Sequence, residues 1–264
     1  MGAQYETLQL ATPAPHVTIV TMNRPQAVNA MNTQMMLDLR DFFSAAYVDQ
    51  GEARCLVLTG AGEKGFCAGA DLKERNGMSD DTWRRQHAIV EQTVRALMIC
   101  PIPVIAAVNG AAYAGGCELA LACDFIYAAE HARFAQTEVA LGIIPGAMGT
   151  QNLPRAIGAR RAKEVILSAT PFSAAEGLAW GLVNKVVPAS DLMPEVLAVA
   201  GRIAANAPIA ARQAKAAIDK AQDLDRSNGY AYEIEAYNRT VGTEDRVEGI
   251  RAFNEKRKPV FKGR

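Results

Sequence analysis

Apolar residues along this chain fall into short β-branched runs separated by longer stretches in which they recur every three to four positions. Val17-Thr18-Ile19-Val20-Thr21-Met22 reads as a buried strand that stops at the turn-prone Asn23-Arg24-Pro25. Met31, Met35, Leu37, Leu39, Phe42 and Phe43 then give a following helix its apolar face. Cys55-Leu56-Val57-Leu58-Thr59-Gly60 predicts a second strand. Ser79-Asp80-Asp81 predicts the start of a long helix running past Ala88 to Met98. Val104 to Val108, closed by Asn109-Gly110, predicts a third strand, Phe125-Ile126-Tyr127 a fourth, and Leu182 to Val187 a fifth. Strands alternating with helices imply an α/β fold with largely parallel pairing and right-handed crossovers. After Pro188 the pattern becomes almost wholly helical. The chain therefore divides into an α/β core over residues 1–189 and a helical region over 190–264 suited to assembly.

Composition narrows the function classes. Lys and Arg total 28 against 28 Asp and Glu in 264 residues, so no whole-protein field draws nucleic acid or an anionic membrane. Half the residues are hydrophobic, which is enough for a substantial core and excludes a disordered chain. The longest apolar stretches lie around Met98 to Val108 and Leu119 to Ile126. Prolines interrupt the first and Asp124 the second, and both are shorter than the ~20 residues of a membrane helix. The start MGAQYETLQL lacks the basic and apolar regions of a signal peptide. Met1-Gly2 resembles a myristoylation start, but Glu6 stands where that motif wants Ser or Thr. Cys55, Cys67, Cys100, Cys117 and Cys123 show no zinc spacing and read as reduced core residues, which fits the cytoplasm.

Common catalytic signatures fail. Gly60-Ala61-Gly62-Glu63-Lys64-Gly65 formally matches GxGxxG after a strand, but another Gly-containing turn follows where a dinucleotide fold needs a helix. No GxSxG elbow accompanies His16, His87 and His131, and all three read as solvent-facing.

Two segments carry more. Phe66-Cys67-Ala68-Gly69-Ala70-Asp71-Leu72-Lys73 and Asn109 to Asp124 place small residues where backbone N–H groups can approach a ligand. Gly115-Gly116 opens a helical run, so free N–H groups and the positive dipole end project there. The Ala70 and Gly115 N–H groups can together hold an oxyanion. Tight helix–strand packing, with Glu118 as an N-terminal capping residue, fits the same spacing. Glu138 sits among apolar residues and turn glycines. Desolvation there would keep its proton to higher pH, as a general acid requires, whereas on a solvated turn it would do nothing.

FCAGADLKE, GAAYAGGCELALACD, AQTEVALGIIPGAMGTQNLPR and the ending AFNEKRKPVFKG together resemble the enoyl-CoA hydratase/isomerase (crotonase) family over nearly the whole chain. FCAGADLKER, LPRAIG and EDRVEGIRAFNEKRKPVFKG look closest to its methylglutaconyl-CoA hydratase, or AU-binding, subgroup. The resemblance implies a spiral of ββα units with a helical trimerisation region, assembled as a trimer or a dimer of trimers. It makes Ala70 and Gly115 the donors to the thioester oxygen, Glu118 the base on water and Glu138 the proton source for C2. Two positions depart from the family pattern: Ala114 replaces the first of three glycines, and Met148 replaces a glycine of PGAGGTQ.

The implied reaction is addition of water across the C2=C3 bond of a 2-enoyl-CoA. It asks for no metal or redox cofactor, and coenzyme A enters as part of the substrate. Ala68, Asp71 and Leu72 are expected to contact the substrate, with Arg24 and Lys73 near its phosphates. Lys256, Lys258 and Phe261 would approach the nucleotide from a neighbouring subunit; a solvated basic tail is the plain alternative. Δ3,Δ2-enoyl-CoA isomerisation is the enzymatic rival, disfavoured by the paired glutamates. RNA binding is the rival from another class. The stretch from Met31 to Thr59 that would carry it holds only Arg40 and Arg54 against Asp38, Asp41, Asp49 and Glu52, the wrong sign for phosphate. A 3-methylglutaconyl group would need a cation for its distal carboxylate, and Arg84 or Arg85 supplies one only if their helix folds over the pocket.

Overall fold

The β-branched runs form strands where the sequence places them. In the computed structural model, which describes residues 5–264, Val17–Met22 and Cys55–Gly60 are strands with those bounds. The Met1-Gly2 start lies outside the described residues. In chain order the elements are β1 (Leu8–Ala14), β2 (Val17–Met22), α1 (Thr33–Val48), β3 (Cys55–Gly60), β4 (Gly65–Cys67), α2 (Leu72–Arg75) and α3 (Asp80–Met98). There follow β5 (Val104–Val108), β6 (Ala111–Tyr113), α4 (Gly115–Ala122), β7 (Phe125–Ala129), β8 (Arg133–Ala135), α5 (Gly149–Ile157) and α6 (Ala159–Ser168). The chain ends with β9 (Phe172–Ser173), α7 (Ala174–Trp180), β10 (Lys185–Val187), α8 (Leu192–Ala204), α9 (Pro208–Ala221), α10 (Arg226–Val241) and α11 (Glu244–Asn254).

The larger sheet has the order β1-β2-β3-β5-β7-β10, parallel throughout except for β1 at its edge. Its central strands are buried on both faces, which is why they read as continuous apolar runs. Period-two alternation sorts their side chains. Val17, Cys55, Val57, Ile105 and Ala107 pack with Leu192, Val196 and Ala200 of α8. Val20, Leu56, Leu58, Val104 and Ala106 join Met35, Leu39 and Phe43 of α1 and Val94 and Leu97 of α3. The first helix beyond Pro188 is thus part of the sheet's packing. Truncating one of these leucines to Ala costs about 2–5 kcal/mol. Caps set the helix starts: the Asn32 side chain accepts from the Met35 N–H, and Ser79 accepts from the Thr82 N–H, as the sequence predicts for α3. No helix among the described residues is long and apolar enough to cross a membrane. All five cysteines are buried and unpaired, and burial pushes the Cys55, Cys67 and Cys117 thiols up to about 12.

The smaller sheet positions the site. Its order is β4-β6-β8-β9, with β4, β6 and β8 parallel. Each strand pair β3–β4, β5–β6 and β7–β8 contributes one strand to each sheet before a helix or helical turn, giving the expected ββα repeat. Because neighbouring strands lie only ~5 Å apart, the segments leaving β4, β6 and β8 converge. Those segments carry Ala70, Gly115 and Glu138. Residues 61–64, inside the GxGxxG match, form bends, and no helix opens there.

Candidate active site

Ala70 is bracketed by a parallel bridge. The Met31 N–H donates to the Gly69 carbonyl at 2.8 Å, and the Asp71 N–H donates to the Met31 carbonyl at 2.9 Å. That pattern turns Ala70's own N–H to the opposite side. Gly69 has φ +93°, and a methyl group on it would lie 2.9 Å from the Tyr113 carbonyl. Glycine is required here both by conformation and by closeness, and it brings the Ala70 segment against the start of α4. Gly115 opens α4, so its N–H has no intrahelical acceptor. Among the described residues neither the Ala70 nor the Gly115 N–H meets an acceptor. A methyl on Gly115 would lie 3.9 Å from Gly69 Cα and 3.9 Å from Glu118 Oε2. The two free amides and the Glu118 carboxylate therefore share one small volume.

Glu118 stands in the first turn of α4 and is buried. It does not cap its own helix. Its Oε1 accepts from the Ala147 N–H at 2.8 Å and the Gly149 N–H at 2.7 Å. Met148 between them has φ +75° and ψ 7°, and this left-handed residue lets both amides point at one oxygen, as in an anion nest. Burial raises the Glu118 pKa from its ordinary value, and the two amides oppose that rise. Oε2 remains for chemistry.

Glu138 opens a 3-10 turn just after β8 and is also buried. Neither of its carboxyl oxygens has a hydrogen-bond partner among the described residues. Burial first, and the charge of Glu118 second, push its pKa up to about 7. Gln136, from the same segment, is fully buried with both amide atoms unpartnered, and its Oε1 and Glu118 Oε1 both crowd Gly149. The sequence reading missed Gln136. The signal available was a lone amide directly after the apolar Phe134-Ala135 and two residues before Glu138.

The other expected residues separate into two groups. Arg24 is tied to Asp71 at 2.9 Å and donates to the Ala30 carbonyl, while Asp71 also caps α2. Burial would raise the Asp71 pKa, but Arg24 and the Glu74 and Lys73 amides hold it below its ordinary value. This pair braces the Ala70 segment, and Ala68, Leu72 and Lys73 stand exposed beside it. Lys256, Lys258 and Phe261 lie on the tail after α11, where Phe261 rests on Gly249 and its carbonyl accepts from Arg54. Arg54 precedes β3, whereas Ala70 lies beyond its far end, so this chain's own tail is at the opposite end of the strand from the site.

The structure answers one open question, on the α3 arginines, and corrects one expectation, on the histidines. Arg84 points to solvent, its side chain 74% exposed and paired with Asp81, and Arg85 is exposed too. Of the histidines only His131 is solvent-facing; His16 Nδ1 donates to the Glu52 carbonyl, and His87 is half-buried against Gly146. The α3 residue that reaches the site's outer wall is this histidine, not an arginine.

Comparison with known proteins matches residues 14–264 to the enoyl-CoA hydratase/isomerase family. A short-chain-enoyl-CoA hydratase of Clostridium acetobutylicum is 43% identical, with 92% of each chain covered. A crotonyl-CoA hydratase of Syntrophomonas wolfei is 41% identical, over 93% of this chain and 94% of that one. The crystal structure of an enoyl-CoA hydratase from Bacillus anthracis superposes with a TM-score of 0.96 at 43% identity, covering 98% of this chain and 100% of the other.

Proposed function

The chain belongs to the enoyl-CoA hydratase/isomerase family and is an enzyme of it, and from that premise we propose that it adds water across the C2=C3 bond of a short-chain 2-enoyl-CoA. The observation that carries the reading is the pair of buried carboxylates with unlike surroundings, set beside two unpaired amide N–H groups. The thioester oxygen sits between the Ala70 and Gly115 N–H groups, which draw electron density from C3. Glu118, ionised and fixed through Oε1, takes a proton from water through Oε2 as the oxygen bonds to C3. The C2=C3 electron pair moves toward the thioester, and the oxyanion is stabilised by about 3 kcal/mol per donor. Glu138, which holds its proton to about pH 7, delivers it to C2 as the carbonyl re-forms. No residue in this scheme calls for a metal or redox cofactor.

An uncharged short acyl group fits better than a diacid. A distal carboxylate buried near Glu118 and Glu138 would need a cation, and the two arginines of α3 face solvent. The helices beyond α8 are read as the assembly surface of a homotrimer or hexamer, supported by the exposed stripe Tyr230, Ile234, Tyr237 and Val241 along α10. The test of the activity is a steady-state screen with EDTA present, using crotonyl-CoA, longer 2-enoyl-CoAs, a 3-enoyl-CoA and 3-methylglutaconyl-CoA. Loss of the enoyl-thioester absorbance with crotonyl-CoA is expected. Turnover of the 3-enoyl-CoA alone would replace hydration with isomerisation, and a preference for the diacid would overturn the acyl assignment.

A further inference from the structure

Gly146 has no positive φ, so its backbone conformation does not ask for glycine. What excludes a side chain is the ring of His87, from the middle of α3. A methyl group on Gly146 would lie 2.5 Å from His87 Cε1 and 3.0 Å from Nε2. The ring therefore occupies the space over Gly146 that any other residue would fill. The next peptide unit carries the Ala147 N–H, one of the two donors to Glu118 Oε1.

Pro145 and Ala147 on either side of Gly146 are buried, Ala147 within the main core, but the outer side of the turn is open. Residues 141–144 and Met148 are exposed, and Met148 is held in a left-handed conformation that a non-glycine residue adopts at a cost. A turn that converges two amides on one oxygen through such a residue relaxes readily unless something packs against it. The His87 ring is the contact on the outer face at Gly146, across the turn from the core packing of Ala147. The charged group beside the ring is Glu91, 3.7 Å from Nε2 on the same helix, and Glu118 is linked to the ring only through the Gly146–Ala147 peptide whose N–H it accepts.

We propose that His87 is a positioning residue: its ring, seated on Gly146, holds the Ala147 N–H on Glu118 Oε1 and thereby fixes the carboxylate that activates water. The link to catalysis rests on the hydratase reading, whereas the contact from His87 to Glu118 does not. Removing the ring should loosen the donor, and a carboxylate with a weaker donor gains affinity for its proton.

The experiment has two readouts on wild type, His87→Ala, Gly146→Ala and the double variant. The first is the Glu118 carboxyl titration, followed by NMR with carboxyl-¹³C-labelled glutamate and assigned with Glu118→Gln. It needs no turnover. The second is kcat and KM for crotonyl-CoA. His87→Ala should raise the Glu118 midpoint and lower kcat by roughly tenfold, with KM changed by less than about twofold. Gly146→Ala evicts the ring and acts through the same contact, so the double variant should match the worse single rather than their product. An unmoved Glu118 titration in His87→Ala overturns the proposal, whatever happens to kcat. Multiplied losses in the double variant overturn it equally. An inactive wild type would defeat the hydratase reading, while the NMR arm would still decide the His87 contact.

Discussion

Glu118 and Glu138 are buried to nearly the same degree, at 3% and 6% exposure, yet the protein treats them differently. Glu118 rides on a helix and gives one oxygen to two backbone amides, which favour its ionised form. Glu138 stands on a short turn where burial, and then its neighbour's charge, favour its protonated form and outweigh the weak pull of its own and the Thr137 amides. Burial, the neighbouring charge and two backbone amides thus give two glutamates unlike affinities for a proton, the difference the proposed base and acid roles use. The same difference should govern the rate, its pH dependence and the stability of the fold.

The largest effect should come from removing either charge. Glu118→Gln and Glu138→Gln should each lower kcat for crotonyl-CoA hydration by at least ~100-fold, with KM little changed. Near-full activity in either variant would show that the two carboxylates are not a working pair.

The pH profile of kcat/KM should show which carboxylate loses its proton first. The proposed mechanism needs Glu118 ionised and Glu138 protonated. The rate should fall as pH rises through about 7, where Glu138 ionises, and fall again on the acid side at a midpoint above the ordinary 4.5 of a glutamate. The two limbs belong to the pair as a unit. A profile flat from pH 6 to 9 would mean that Glu138 does not supply the proton.

Much of this difference was visible in the sequence, and the invisible part has a physical cause. The strands of the large sheet could be read because they are buried on both faces and leave long apolar runs. β1 escaped because it is a mostly exposed edge strand whose second half is Ala-Thr-Pro-Ala, and β4, β6 and β8 because three residues carry no period. Glu118 and Glu138 stand out as carboxylates amid small and apolar residues. What holds Glu118 does not, because the Ala147 and Gly149 donors are backbone atoms roughly thirty residues away. His87 failed for a related reason. Its helical neighbours are charged, so it reads as solvent-facing, while the glycine that accommodates its ring lies in another element.

Stability should separate the carboxylates in the opposite sense to activity. The folded-state pKa of Glu138, about 7, is raised above the ordinary 4.5, so its contribution is fully present below the unfolded value and lost as pH rises through about 7. Above that pH the fold must bury an unpaired charge. Glu138→Gln should therefore stabilise the protein at pH 8 by ~2 kcal/mol and change little at pH 5, as read from urea unfolding at the two pH values. Glu118→Gln should show a smaller gain at pH 8, because its two amides already compensate the charge. Equal gains from both variants would remove the electrostatic distinction.

The smallest effect tests the backbone that aims the site. Ala114 precedes α4 with φ +48° and ψ −122°, a conformation natural to glycine and costly for an L side chain. Its Cβ also lies 3.0 Å from where a methyl group on Gly69 would sit, so it helps to close the gap between the two amide-bearing segments. Ala114→Gly relieves the conformational cost but gives the unfolded chain more freedom, and the two terms partly cancel. The net should be a gain of about 0.5–1 kcal/mol, raising Tm by about 1–4 °C. Gly69→Ala, across the same contact, should go the other way, because φ +93° and the Tyr113 carbonyl at 2.9 Å both oppose a side chain. It should also cost kcat, since the Ala70 N–H follows directly. A lower Tm for Ala114→Gly would mean that its methyl group is worth more as packing between the amides than its backbone strain costs.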